Sequence, residues 1–129
     1  MTSENQVKVV FLLKRKPGMT FQEFQRYYET EHVKLIKFLP EVCCYVRRYL
    51  KPFDRGPVAG DHLEDPEAYD SISEIWFETK ADFESAMKRL AQPEVAQAVA
   101  ADEERLFDRK SIRVYLVEER YSSLPPQKG

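Results

Sequence analysis

Residues 7–14 read Val-Lys-Val-Val-Phe-Leu-Leu-Lys, and Pro17-Gly18 follows before Thr20 and Glu23. The apolar, β-branched run is typical of a buried strand. Proline and glycine end that strand, and a threonine three residues before a glutamate forms a capping box that opens a helix. This stretch therefore predicts a strand followed by a helix.

The predicted helix continues to Pro40 and has an apolar stripe along one side. His32 lies four residues after Tyr28 and three before Leu35. This spacing places its imidazole on the stripe, where we expect it to point into the protein. The stripe consists of Phe24, Tyr28, Leu35 and Leu39.

Three more strands and a second helical region are predicted downstream. The strands cover residues 42–50, 71–78 and 112–118, and the helical region starts after Thr79, restarts at Pro93 and reaches Phe107. The order β-α-β-β-α-β predicts an α+β fold of the ferredoxin-like type, in which helices cover one face of an antiparallel sheet. Dimerisation would bury the other face, so we expect a homodimer.

Alternation assigns the side chains of the middle strands to opposite faces of the sheet. On the third strand, Ile72, Glu74 and Trp76 are predicted to share one face, with Ser73, Ile75 and Phe77 on the other. On the second strand, Val42, Cys44 and Val46 are expected on one face, with Cys43, Tyr45, Arg47 and Tyr49 on the other.

Length and composition are those of one globular domain covering residues 1–129, with its core in about 7–119. The chain has 129 residues, of which 43% are hydrophobic, enough for a core of its own. A Pro- and Gly-rich stretch over residues 51–69 is predicted to be an irregular loop, and such long loops are often functional. The tail from residue 120 is expected to be loose or to lie across a partner.

Charge and hydropathy exclude several classes of partner. The 20 Lys and Arg residues are interspersed among 22 Asp and Glu residues, which argues against nucleic acid. No stretch approaches the roughly 20 apolar residues of a membrane span, and residues 1–6 lack the apolar core of a signal peptide. Cys43 and Cys44 are poorly placed for a disulfide with each other. We therefore expect a cytoplasmic protein.

Common cofactor and metal motifs are absent from the sequence, so we predict no cofactor and no metal. The groups left to carry chemistry are His32, His62 and the aromatic hydroxyls. Imidazole suits proton transfer near neutral pH, and Tyr45 could donate a hydrogen bond to an oxyanion. Periodicity alone nevertheless favours a buried structural His32 and a core Tyr45, and a solvent-exposed His62.

Several segments resemble the EthD family. They are residues 9–20 (Val-Val-Phe-Leu-Leu-Lys-Arg-Lys-Pro-Gly-Met-Thr), 23–28, 31–32, 39–47, 75–77, 101–107 and 115–119. The resemblance covers about residues 7–119 and implies a dimeric α+β barrel. Functions in that family are diverse and include alkyl ether degradation, fungal polyketide decarboxylation and methylmuconolactone isomerisation.

The methylmuconolactone methylisomerases resemble this chain at three informative positions. Their first-helix histidine falls on His32, their second-strand tyrosine on Tyr45 and their loop histidine close to His62. The chain departs from them in two ways: His62 lies several residues further from Tyr45, and Glu41 replaces a common glycine.

The leading hypothesis is a cofactor-independent isomerase or lyase that acts on an aromatic, lactone or polyketide-like compound. His32 would move a proton, Tyr45 would stabilise the oxyanion, and His62 would orient the substrate or act as the acid. Phe11, Tyr49 and Trp76 would form the apolar wall, with strand register deciding which of them face the pocket. One alternative is a non-catalytic ligand-binding or accessory protein. Another is an oxidative protein, either a cofactor-free monooxygenase of phenols or a haem protein.

Overall fold

The computed structural model describes residues 6–51 and 68–126. Its four strands are β1 (Val7–Leu13), β2 (Val42–Tyr49), β3 (Ser71–Phe77) and β4 (Arg113–Leu116). There are three α-helices, α1 (Phe21–Thr30), α2 (Lys80–Leu90) and α3 (Pro93–Leu106). A 3-10 helix follows α1 (His32–Phe38), and another follows α3 (Arg109–Ser111). The predicted order of elements is confirmed, with the second helical region divided between α2 and α3.

The strands form one sheet in the order β2-β3-β1-β4, and every neighbouring pair is antiparallel. Val9 of β1 and Tyr45 of β2 both pair with Ile75 of β3. Because directly paired residues point to the same side of a sheet, these three side chains share a face. This is the predicted ferredoxin-like α+β fold.

The helices pack on that face, here called the inner face, and bury two hydrophobic clusters against it. The first cluster includes Phe77 of β3 and Ala86 of α2. The second includes Phe24 of α1 and Leu106 of α3, and all four residues are fully buried. The predicted alternation of β3 is confirmed, since its buried residues are Ser71, Ser73, Ile75 and Phe77.

The first helix differs from the prediction of one helix reaching Pro40. It begins as expected, with the Thr20 side chain accepting from the Glu23 amide at 3.1 Å and the Glu23 carboxylate accepting from the Thr20 amide at 2.9 Å. At Glu31 the backbone turns to φ −117°, and hydrogen bonds then span three residues instead of four. The β-branched Val33 and Ile36 just beyond lose side-chain freedom in an α-helix, which favours the change.

The face predicted for Val42 was wrong. A β-bulge between Val42 and Cys44 adds one residue to β2. Val42 therefore pairs with Phe77 and packs against the first cluster on the inner face. The same bulge leaves Tyr45 and the residues after it on the faces that were predicted.

Other expectations have mixed outcomes. Strand β4 is shorter than the predicted 112–118, and residues 117–126 form no helix or strand. The loop prediction for 51–69, together with His62, lies largely outside the described residues. Among the residues that the structure describes, none of the helices has the length and apolar character of a membrane span.

Candidate functional site

A cavity of about 200 Å³ lies between the inner face of the sheet and the helices. It falls where the two hydrophobic clusters meet, because Phe11 and Tyr45 line it and pack against both clusters. Aliphatic side chains form most of its remaining wall. They include Leu35, Ile36, Leu39, Ile75, Leu90 and Val99.

His32 lines this cavity and is held by a carboxylate. It is the first residue of the 3-10 helix, and its Nδ1 lies 2.6 Å from Oδ2 of Asp102. The rings of Tyr28 and Phe107 stand edge-on to the imidazole, with centroids 4.9 and 5.1 Å away. The histidine is thus fixed by one charge-assisted bond and two ring contacts.

Asp102 is a buried residue of α3 whose two carboxylate oxygens are both occupied. Oδ1 accepts a hydrogen bond of 2.6 Å from the hydroxyl of Tyr27, and Oδ2 faces His32. A carboxylate can only accept, so Nδ1 of His32 carries the proton in this contact. The other ring nitrogen, Nε2, is then the one available to a ligand.

Glu103, the next residue of α3, lines the cavity itself. Burial raises the pKa of its carboxyl group above the usual value, against the opposing effect of Arg109, whose Nε lies 3.4 Å away. The cavity therefore contains a second titratable group close to His32.

A chain of hydroxyl groups lines the sheet side of the cavity. The Tyr28 hydroxyl donates to Ser73 Oγ at 2.7 Å, and the hydroxyl of Tyr45 hydrogen-bonds with that of Tyr28. Burial is the main cause that raises the pKa of Tyr45, and the neighbouring Tyr28 adds to it. Tyr45 is therefore a neutral hydrogen-bond donor at any ordinary pH.

The structure brings together three of the residues selected from the sequence, His32, Tyr45 and Phe11. Tyr49 lies on the inner face beside the site, where its ring packs on Tyr28 with centroids 5.9 Å apart and its hydroxyl donates to Glu29. It is one layer away from the cavity rather than part of its wall.

The expectation that Trp76 lines the cavity is corrected by the register of β3. Trp76 pairs with Cys44 and Lys8, so it points to the opposite, outer face of the sheet. There Lys8 Nζ lies 3.8 Å from its ring centroid, and its indole nitrogen donates to Glu74 at 3.0 Å. His62 lies outside the described residues.

Sequence reasoning missed Asp102 and Glu103 as site residues. A signal for Asp102 was present: Val95, Asp102 and Leu106 are seven and four residues apart and are the buried residues of α3. An acidic residue on an apolar helical stripe needs a buried partner. No such signal marked Glu103. Within the described part of the chain, no three His, Cys, Asp or Glu side chains are grouped to hold a metal ion.

Comparison with protein families matches residues 16–110 of the chain to the EthD domain. No curated protein matches the chain.

Several solved structures share the fold. An ethyl tert-butyl ether d (EthD) family protein from Bacillus halodurans superposes with a TM-score of 0.56 at 17% identity, covering 89% of this chain and 99% of its own. An EthD-like protein from Ralstonia eutropha superposes with a TM-score of 0.57 at 16% identity, covering 89% of this chain and 90% of its own. A dimeric ferredoxin-like protein of unknown function from Thermobifida fusca superposes with a TM-score of 0.54 at 15% identity, covering 91% of this chain and 93% of its own. At these identities the likeness concerns the fold alone.

Proposed function

The chain belongs to the EthD domain family, and from the geometry of its cavity we propose that it is a cofactor-independent isomerase or lyase. It would act by general acid–base catalysis on a small oxygenated ring. The observation that carries this proposal is the 2.6 Å contact between His32 Nδ1 and Asp102 at the wall of an apolar cavity.

In this proposal His32 is the group that takes and returns a proton. Its Nδ1 is engaged by Asp102, so Nε2 would meet the substrate as a neutral base. Asp102 would then stabilise the imidazolium formed when the proton is taken up, because an ionised carboxylate beside it favours the charged ring.

Tyr45 would stabilise the negative charge that proton removal leaves on the substrate oxygen. In the structure the Tyr45 hydroxyl donates to Tyr28, which itself donates to Ser73. The Tyr45 hydroxyl would therefore turn from Tyr28 to the substrate oxygen, where hydrogen bonds to a developing oxyanion are strong because water is scarce. The role predicted for His62, to orient the substrate or act as the acid, stays a prediction.

The experiment is a hydrogen-exchange assay in deuterated buffer. Lactones and phenols are incubated with the protein, and loss of carbon-bound hydrogen is followed by ¹H NMR. We expect exchange with the wild type and a fall of about 10²- to 10⁴-fold in its rate for His32→Asn, since acid–base catalysis contributes that much. Unchanged exchange in His32→Asn would contradict the assignment.

Two further variants locate the remaining groups. Tyr45→Phe removes the hydroxyl and keeps the ring, so we expect a slower rate with the fold retained. His62→Ala tests the second histidine, since an unchanged rate would remove it from the mechanism. A buried phenylalanine at 45 also leaves Tyr28 its bond to Ser73, which makes Tyr45→Phe a mild structural change.

The same cavity supports a second candidate, a ligand-binding or accessory protein without turnover. Its apolar wall would hold a small hydrophobic molecule even if no proton were moved. Tight binding of a ring compound with no exchange, unaffected by His32→Asn, would select this candidate.

We also propose that the protein works as a cytoplasmic homodimer. The support is that both cysteines are free, that a dimeric protein shares the fold, and that the outer face of the sheet contributes no residue to either hydrophobic cluster.

A further inference from the structure

The size, charge and hydrogen-bonding groups of the cavity together restrict which ring compound it takes. We infer that its ligand is a neutral compound with a single ring and a hydroxyl or lactone oxygen, and that carboxylates and fused-ring compounds are excluded. The inference rests on the proposed function in taking this cavity as the reaction site.

Size limits the ligand to one ring. An engineered apolar cavity of about 150 Å³ holds one benzene molecule, and the cavity here measures about 200 Å³. The difference leaves room for one or two small substituents. Leu35 and Ile36 of the 3-10 helix, together with Val99 of α3, line it on the helical side. A second fused ring would have to displace these side chains, at a cost, or extend out of the apolar space into solvent.

Charge disfavours an anionic ligand. Among the described residues that line the cavity there is no lysine or arginine, whereas Glu103 lines it directly and Asp102 lies just behind His32. Arg109 is the cation beside Glu103, and it is already shared between Glu103 and Glu104, at 3.4 and 3.1 Å. A ligand carboxylate would therefore enter an apolar space without a countercharge of its own, which is unfavourable.

The nearest arginine on the sheet does not supply the missing countercharge. Arg47 lies on the inner face beside Tyr45, but its guanidinium is bound to Glu29, with Nε 2.9 Å from Oε2 and Nη2 2.6 Å from Oε1. Tyr49 donates to the same carboxylate. An incoming anion would have to compete with this bidentate pair.

Hydrogen bonding favours a neutral oxygen. The polar groups that line the cavity are His32, Glu103, Ser73 and the tyrosine hydroxyls of 28 and 45. These groups can donate to and accept from a hydroxyl or lactone oxygen. The rest of the wall is apolar. The ligand that matches this lining has an apolar ring with one polar end.

The test is a binding titration with three probes of matched chemistry. Methyl signals of Leu35, Ile36 and Val99 report the cavity, and those of Leu124, an exposed residue that does not line it, report nonspecific binding. At pH 7.5, 4-methylphenol is neutral, since phenols ionise near pH 10. The second probe, 4-methylbenzoate, has the same ring with a carboxylate, and the third, 2-naphthol, adds a fused ring.

We expect 4-methylphenol to bind at the cavity signals at least about tenfold more tightly than 4-methylbenzoate, because a buried carboxylate lacks a partner there. We also expect it to bind more tightly than 2-naphthol, although the larger ring is more hydrophobic. Replacing Glu103 with glutamine removes the carboxylate from the cavity wall and leaves Arg109 with Glu104 as its partner, so it should narrow the difference in affinity between the phenol and the benzoate. Glu104→Gln is the matched control, because Glu104 is its exposed neighbour and does not line the cavity.

Three results would overturn the inference: equal or tighter binding of 4-methylbenzoate, tighter binding of 2-naphthol at the cavity signals, or no cavity shift with 4-methylphenol. Failure of the proposed function gives a different result. If the phenol binds as expected and no ring compound exchanges hydrogen, the ligand class stands and catalysis fails. If exchange occurs with carboxylates alone, the catalysis stands and the ligand class fails.

Discussion

Asp102 is the residue on which the arrangement of the site depends. Its carboxylate joins Tyr27 of α1 to His32 of the 3-10 helix, at 2.6 Å on each side. Burying a carboxylate is costly unless its oxygens are hydrogen-bonded. Here the hydrogen bonds from Tyr27 and His32 offset that cost, and the bond to His32 also fixes the orientation of the imidazole.

The first prediction at this scale concerns the tautomer of His32. In the wild type we expect the proton of the neutral ring on Nδ1, because the carboxylate accepts from it. Asp102→Asn replaces that acceptor with an amide, which can donate instead, so the ring should shift toward the Nε2–H tautomer. Long-range ¹⁵N–¹H correlation spectra of the ring measure this directly. Exchange activity should fall with it, since Nε2 would no longer accept a proton.

Tyr27→Phe is the matched control for this prediction. It removes the other hydrogen bond to Asp102 and leaves the carboxylate facing His32. We expect the Nδ1–H tautomer to persist and the free energy of unfolding to fall by about 1 kcal/mol, the usual value of one hydrogen bond. An unchanged tautomer in Asp102→Asn would mean that another contact orients His32.

At the residue scale, His32 and Tyr45 could be selected from the sequence, but the carboxylate partner of His32 could not. The spacing of His32 on an apolar stripe, and its resemblance to a family histidine, were enough to select it. Asp102 lies 70 residues further along the chain, and local spacing does not reveal which buried group a distant carboxylate meets. Only the packing of α3 against the first helical region brings the two together.

At the scale of elements, α3 sends two consecutive carboxylates to different places. Successive residues of an α-helix point about 100° apart. Asp102 is consequently buried behind His32, whereas Glu103 reaches the cavity wall with a quarter of its side chain exposed. One helix thus supplies a positioning group and a charged part of the wall.

The second prediction, at this scale, is that Glu103 makes the stability of the fold depend on pH. Burial raises its pKa in the folded state, while Arg109 and His32 oppose the shift and Asp102 adds to it. A carboxyl with a raised folded pKa contributes full stability below its unfolded value, near pH 4.3, and loses it as pH rises through the folded pKa. Glu103→Gln should therefore gain stability relative to the wild type as pH rises from about 4 to neutrality.

Urea unfolding of both proteins across that pH range measures the difference. Glu104→Gln is the control, because Glu104 also pairs with Arg109, at 3.1 Å, but its side chain is 67% exposed. We expect a small effect of that variant with little dependence on pH. A wild type that becomes more stable than Glu103→Gln toward neutral pH would show that the pair with Arg109 outweighs burial.

Element positions were more predictable than the irregularities within them. The capping box at Thr20 and the proline at 93 begin helices as their local chemistry dictates. The bulge at Cys43 and the change to a 3-10 helix after Glu31 carry no comparable sequence mark. Both adjust the chain to its neighbours, so they depend on tertiary packing.

At the scale of the whole molecule the two faces of the sheet differ. The inner face is covered by helices over β1, β2 and β3 and holds the cavity, whereas β4 at the edge is exposed. On the outer face Val10, Val46 and Ile72 remain only partly buried, and they lie among Lys8, Arg48 and Glu74. The ferredoxin-like order predicted one uncovered face, since two helices on one side leave the other side open.

The proposed dimer predicts that a charge placed on the outer face separates the two copies. Val46 pairs with Glu74 on this face, so Val46→Lys would gain a neighbouring carboxylate and keep the fold of one copy. Buried in a dimer, the same lysine should raise the dissociation constant by about a hundredfold or more, since taking an ion out of water costs several kcal/mol and Glu74 is already bound to Arg48. Gln97→Lys, on an exposed position of α3, makes a similar change away from this face and should leave the dimer intact.

Light scattering after size exclusion, over a range of concentrations, measures the dissociation constants of both variants. A dimer unaffected by Val46→Lys, or a wild type that is monomeric throughout, would show that the outer face is not the interface.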